Sequence, residues 1–375
     1  MSKRLALVLT LSSLVLGPAG LATAFNYGGG GGGGSAMPHT PAAPSSPYTL
    51  TKLAADVSGA AAQVDPHLIN AWGLVAGPAT PWWVANNETN SSTLYGSTGN
   101  VIPLVVSVPG SPTGTVFNGG SQFVVSSGGQ SGPAAFLFAT ESGTINGWNQ
   151  TVPLPAPSTQ AIMGADRSSV GAVYKGLALA STSSGDLLFA TDFHNGRIDV
   201  FDGSFNLVTA PGGFVDKKIP HHFAPFGIQN VNGTLFVSYA KPDKDKKDDV
   251  PGPGLGFVDM FDTSGNLLGR VATKGALNAP WGLAVAPSNF GTFSGDLLVG
   301  NFGNGKINAY QQRPNGHWKH HGILKGADGK VIKIDGLWGL SFGNDGPAGP
   351  STTLYFTAGP QDETHGLFGS IQASS

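Results

Sequence analysis

The chain has 375 residues, 40% of them apolar, enough to build a core for one large domain or two ordinary ones. Only 11% are charged and the formal net charge is −2, so no electrostatic footprint for nucleic acid or an anionic membrane surface is present. Cysteine is absent, which excludes a disulfide-stapled module and a lipidated N-terminal cysteine.

The chain begins "MSKRLALVLTLSSLVLGPAGLATA", with Lys3 and Arg4 before an apolar stretch and Ala22-Thr23-Ala24 as a small-x-small site. This pattern predicts a secretory signal peptide over 1–24, and hence a secreted or periplasmic protein. Gly17, Pro18 and Gly20 interrupt the apolar run before the roughly 20 residues that a membrane anchor needs, so no transmembrane segment is expected in the mature chain. Seven glycines at 28–34 and the stretch "SAMPHTPAAPSSP" then predict a Gly/Pro-rich flexible tether over 25–47.

From 48 to 371 one pattern recurs at a spacing near fifty residues, and such a period is the first thing to read in a chain of this kind. "YKGLALASTSSGDLLFATDFHNGRIDVFDGSFNLV" at 174–208 aligns with "PWGLAVAPSNFGTFSGDLLVGNFGNGKINAYQ" at 280–311. The innermost-strand glycines fall at 73, 176, 227, 282 and 339, and the gap of 103 before 176 leaves room for one divergent unit containing "GTVFNGG". Each unit reads as about four short strands punctuated by turns, in keeping with 57 glycines and 27 prolines.

Six four-stranded units in one open sheet would leave bare edges, whereas blades packed radially around an axis avoid them. The sequence therefore predicts an all-β, six-bladed β-propeller over 48–371, with a short tail at 372–375. "YTLTKLAADV" at 48–57 is an N-terminal strand placed to close the last blade, whose own repeat stops at "GLFGSI".

The pattern "P-[FW]-G-[IL]…L-[FL]-V…G-x-I-x-V-[FY]" is similar to NHL-type propeller repeats. Longer stretches, among them "VDPHLINAWGL", "GAVYKGLALA", "DDVPGPGLGFVDMFD" and "LYFTAGPQDETHGLFGSI", carry a closer match. On these the chain resembles an uncharacterised family of exported bacterial NHL-like propellers, some with a PEP-CTERM sorting tail. This chain ends in "QASS" without such a tail, and the resemblance implies no activity.

Asn86, Glu141, Asp192 and Asn301 follow the second strand in units one, two, three and five. If they converge near the axis, they offer oxygen ligands for Ca²⁺, similar to the Glu/Asn/Asp mouth of six-bladed lactonases, with His194 as a general base. The competing reading is that each caps its own turn through backbone N–H groups.

The insert "KPDKDKKDDVPGPG" at 241–254 lacks the order of an EF-hand loop and reads as a solvated loop or a lid over the channel. "HWKHH" at 317–321 offers three imidazoles in the outer part of unit five. Trp72, Trp281 and Trp338 share one repeat position with Phe226 and Lys175, which makes Trp-Gly an architectural beat and Lys175 the one charge in an aromatic ring.

No G-x-S-x-G elbow, H-E-x-x-H or phosphate-cradling loop occurs. Two functions remain: a binding or scaffold module holding a protein, peptide, glycan or small molecule on loops at one face, or a Ca²⁺-dependent hydrolase or lyase at the channel mouth. A tethered structural protein is a weaker third.

Overall fold

The computed structural model describes residues 47–374, so the expected signal peptide and all of the expected tether except Pro47 lie outside the described residues. The rest is a β-propeller of six blades, antiparallel but for one parallel pair at the outer edge of blade six, with a seventh, two-stranded sheet beside them. Helix is confined, among the described residues, to three single turns of 3₁₀ type.

Blade one runs Ala71–Val75, Trp82–Asn86, Ser91–Tyr95 and Val101–Ser107 from the axis outward. Blade two follows with Pro112–Phe117, Phe136–Thr140, Thr144–Trp148 and Ile162–Asp166, and carries an extra hairpin, Val124–Ser127 with Gln130–Pro133. Blade three is Tyr174–Thr182, Gly185–Asp192, Arg197–Asp202 and Leu207–Val208, and blade four is Ala224–Val231, Thr234–Ala240, Phe257–Phe261 and Leu267–Thr273. Blade five is Pro280–Val285, Leu297–Asn301, Ile307–Gln312 and Trp318–Ile323.

Blade six joins the two ends of the chain. Leu337–Phe342, Leu354–Ala358 and Leu367–Ala373 are its inner strands, and Tyr48–Ala55 is laid antiparallel on the third, with Gln63–Val64 beyond it. Closure by the N-terminal strand is thus as the sequence implies. The tail is shorter than expected, because Gln372 and Ala373 pair with Thr49 and Tyr48 and so belong to the sheet.

Second strands such as Trp82–Asn86, Phe136–Thr140 and Leu354–Ala358 are buried along their whole length. A blade's middle is covered on both faces by its neighbours, which is why these strands read as continuous apolar runs. Outer strands such as Val101–Ser107 expose alternate residues instead. Six hydrophobic clusters each bridge one pair of adjacent blades, and a seventh, containing Trp72, Phe226 and Trp338, occupies the axis.

The innermost strands come too close together for side chains. A Cβ on Gly73 would strike the Thr113 carbonyl, one on Gly227 or Gly282 the carbonyl of Trp281 or Trp338, and one on Gly339 that of Trp72. Gly114 does the same against the backbone of Gly176 and Leu177, so Thr113-Gly114 is the divergent sixth member of the ring. Each inner strand shifts register at this dipeptide, for example between Ala71 and Leu74 and between Tyr174 and Leu177. Such a bulge bends the strand and re-aims one residue, here toward the axis. Second-strand hydroxyls stitch the bulges to the next blade: Thr191 Oγ1 accepts from Gly176 N–H at 2.7 Å and donates to Phe226 O at 2.7 Å.

Candidate binding face at the mouth of the ring

The six bulged positions are Trp72, Thr113, Lys175, Phe226, Trp281 and Trp338. Trp72 and Trp338 stack with ring centroids 3.6 Å apart, and Phe302 stacks on the other side of Trp338 at 3.9 Å. Trp281 meets both indoles edge-on, at 6.3 and 5.9 Å. Trp338 Nε1 donates to Asn70 Oδ1 at 2.9 Å and Trp281 Nε1 to the Lys175 carbonyl at 3.0 Å. These rings plug the channel and leave behind them a space of about 30 Å³ lined by the next residues of the inner strands.

Lys175 is the polar member of the plug. Its side chain is 1% exposed, and its ammonium lies 4.9 Å from the Trp72 ring centroid, an arrangement the ring quadrupole favours. It donates to Glu141 Oε1 from blade two and, at 3.3 Å, to Asp248 Oδ1 from the blade-four insert. Asn87 Nδ2 bonds the other Glu141 oxygen at 3.2 Å, and Asn70 Nδ2 bonds both Asn87 Oδ1 at 3.3 Å and Glu363 Oε2 at 2.6 Å. Glu363 ends three consecutive left-handed residues, Gln361, Asp362 and Glu363, with φ of 56°, 52° and 66°. A non-glycine run in that region is held only where its surroundings fix it.

Burial opposes charge throughout this knot. It opposes the Glu141 carboxylate, but the Lys175 ammonium outweighs it and holds the group below the ordinary range. Burial likewise opposes the Lys175 ammonium, yet Glu141 and Asp248 keep its pKa above the usual value. Asp249 lacks such compensation: burial, only partly offset by Lys175, pushes it up to about 7, and its Oδ2 is buried without a hydrogen-bond partner. Burial raises Glu363 as well.

The four oxygen-bearing residues expected to converge are divided by strand alternation. Asn86, Asp192 and Asn301 pair with the first residues of their inner strands, and the register partner in blade two is Thr140, not Glu141. Glu141 is one step further on, level with Asn87, and successive side chains of a strand point to opposite sides. Glu141 therefore turns to Lys175, while the other three stay within their own blades. Asp192 accepts from Val173 N and Asn195 N, both at 3.2 Å, and from Asn195 Nδ2 at 2.7 Å, and pairs with Arg197 at 3.4 Å.

Burial raises the Asp192 carboxyl, and those hydrogen bonds pull it back. Asn86 bonds Ser91 and Thr93, and Asn301 bonds the Ala276 carbonyl and Asn304; the Oδ1 of each amide is buried without a partner. Glu141 is thus turned away from the other three, and both carboxylates are engaged by neighbouring side chains. Among the described residues no three His, Asp or Glu side chains form a group able to hold a metal.

His194 lies apart from this knot, on the wall of a cavity of about 550 Å³ between blades three and four. The insert is docked rather than free. Asp248 reaches Lys175, Val250 N–H bonds the Lys241 carbonyl at 2.7 Å, and Gly252 N–H bonds Asn278 Oδ1 of the blade-five approach at 2.7 Å. In the outer strand of blade five, His321 pairs with Asp296 at 2.6 Å and His320 lies 3.2 Å from Asn308 Oδ1, so these imidazoles serve different partners. Asp248, Asp249, Asn70 and Glu363 carry no repeat signal. The only pointer to them in the sequence is Lys175, a charge where the repeat otherwise places a large ring.

No family model matches the chain. It is 34% identical over 328 residues to the uncharacterised protein L690 of Acanthamoeba polyphaga mimivirus, covering 83% of this chain and 82% of that one. It is also 32% identical over 340 residues to the uncharacterised protein R648 of the same virus, covering 86% and 80%. This chain belongs to that protein family.

The expectation of an exported bacterial family is thereby corrected, because these relatives are viral; the propeller remains from that resemblance. Among solved structures, a Bacteroides thetaiotaomicron protein of unknown function superimposes with a TM-score of 0.50 at 9% identity, over 87% of this chain and 76% of that one. Streptogramin B lyase gives 0.48 at 11%, over 87% and 98%, and nothing of its activity carries over at that likeness. No helix among the described residues is long and apolar enough to cross a membrane.

Proposed function

We propose that the protein is a binding module that uses the face where the second and third strands of each blade are joined. The observation that carries this is the aromatic plug: with Trp72, Trp338 and Phe302 stacked across the axis, ligand access is left to the loops around the mouth. A cavity of about 550 Å³ on this face lies between blades three and four, next to the docked insert.

The alternative, a Ca²⁺-dependent hydrolase or lyase with His194 as base, has little support, since Asp192 and Glu141 are engaged by Asn195, Arg197 and Lys175. Elemental analysis and a thermal-shift scan with EDTA test it. Stoichiometric Ca²⁺ and a lower Tm in EDTA would replace the binding reading with the enzymatic one.

The binding reading is tested by a thermal-shift screen of small molecules, glycans and peptides on residues 36–375. Two charge reversals accompany it, Lys217→Glu on this face and Asp186→Lys in the hairpin at the opposite face. Hits abolished by the first and kept by the second are expected; the reverse would overturn the assignment of the face. Export follows from the leader pattern at 1–24, and N-terminal sequencing of the secreted protein should begin at Phe25.

A further inference from the structure

The cavity between blades three and four has an aromatic floor and a cationic rim. Phe214, Phe223 and Tyr239 are each less than one-tenth exposed and form its base, and Ile219 and Pro242 add apolar wall. The rings are fixed from behind: Phe223 packs edge-on to Phe257 at 4.8 Å and Phe214 to Phe189 at 5.8 Å. Tyr239 lines this cavity, and its hydroxyl makes no hydrogen bond to any described residue. A buried phenol normally finds a partner, so this donor is available to a ligand.

The rim carries Lys217, Lys246, His194 and His221. Its one acid, Asp216, is taken: Arg270 bonds Oδ2, and the Lys218 N–H bonds Oδ1 at 2.7 Å. The insert is sorted in the same sense, since Asp248 turns to Lys175 and Asp243 caps the Lys247 N–H at 3.0 Å, while Lys246 is the insert charge that reaches the cavity. The unpaired charge facing the space is therefore positive. At about 550 Å³ the cavity matches a single small molecule rather than the large flat contact that a folded partner needs.

Building on the binding reading above, we infer that this cavity takes a small aromatic carboxylate. Its ring lies on Phe214 and Phe223, and its anionic end lies between Lys217, Lys246 and the Tyr239 hydroxyl.

Naphthoate and its neutral isostere naphthamide are the probes, titrated by calorimetry into the protein from residue 36 onward. Naphthoate should bind about tenfold more tightly than naphthamide, the equivalent of roughly 1.4 kcal/mol. In a Lys217→Gln/Lys246→Gln variant that preference should fall to near unity, with naphthamide binding unchanged. Tyr239→Phe, which alters one oxygen and keeps the ring, should weaken naphthoate several-fold.

Equal binding of the two probes to the wild type would overturn the inference, as would a preference that survives loss of both lysines or an absence of naphthoate binding at millimolar concentration. The broader reading fails separately: neutral hits from the screen that are lost in Lys217→Glu would refute the carboxylate and leave the binding face standing.

Discussion

The two halves of the mouth solve the same backbone problem in different ways. Blades five, six and one present Trp281, Trp338 and Trp72, which fill the axis with two stacked indoles and a third set edge-on to them; the N–H groups of Trp281 and Trp338 are bonded and that of Trp72 has no partner. Blades two, three and four present Thr113, Lys175 and Phe226, and there the space is filled by an ammonium with carboxylates gathered around it from three blades. The bulge and the close-packed glycine are common to both halves, so the architecture dictates the position and leaves the side chain free. The repeated geometry of the stacked half is structural, and the charged half is where this propeller departs from its own repeat.

The largest test is the stacked half. Trp338 is 1% exposed and packs on Trp72, Phe302 and Phe226, so Trp338→Ala should cost about 3–5 kcal/mol in guanidinium denaturation. Trp281 shares its repeat position but is only partly buried and meets its neighbours by its edge. Trp281→Ala should therefore cost less than half as much. Equal losses would mean that the ring position, and not the stack, sets the energy.

Those tryptophans show how much was legible. Trp-Gly at 72, 281 and 338 announced the inner strand, its period gave the blade count, and the strand at 48–57 gave the closure. Thr113-Gly114 was not legible as the sixth member, because it keeps the bulge without the ring, and only the abutment of Gly73 on Thr113 reveals it. Glu141 was grouped with Asp192 although it lies one residue out of register, an error that reverses the side to which a strand residue points. Asp249 and Glu363 sit in irregular loops of blades four and six. Only the closed ring brings them to Lys175, so no local pattern could have joined them.

Next in size is the charged half itself. Lys175→Met leaves the buried Glu141 with Asn87 as its hydrogen-bond donor and only the exposed Lys247, 4.0 Å away, as a cation, and removal of the close partner from a buried pair is the expensive change. A loss of about 3 kcal/mol is expected, most of it recovered when Glu141→Gln is added, because the methionine and the neutral amide then need no counter-charge. A single variant as stable as the wild type would show that the knot contributes nothing to the fold. A double variant no better than the single one would show that the cost lies in packing on Trp72 rather than in the stranded carboxylate.

The smallest effect is the most selective, because it appears only as pH changes. Asp249 faces Lys175, Glu363 and Asp248, and burial raises it to about 7 against an ordinary value near 4. A carboxyl with a raised native pKa is better tolerated protonated, so its contribution is fully present at acid pH and is lost as pH rises through about 7. Glu363, raised in the same direction, adds to that slope, whereas Glu141, held low, and Lys175, held high, keep their charges across the window. The wild-type Tm should thus fall between pH 5 and 8 by more than that of Asp249→Asn, whose neutral amide removes the titration. Trp338→Phe, on the other half of the mouth, should lower Tm at every pH, since the stacked rings do not titrate and only Glu363, which Asn70 links to the Trp338 indole N–H, can add a pH dependence. Parallel pH profiles for wild type and Asp249→Asn would show that Asp249 is ionised in the native state at neutral pH. The polarity of the mouth would then rest on Glu141 and Asp248, the two acids that bond Lys175 directly.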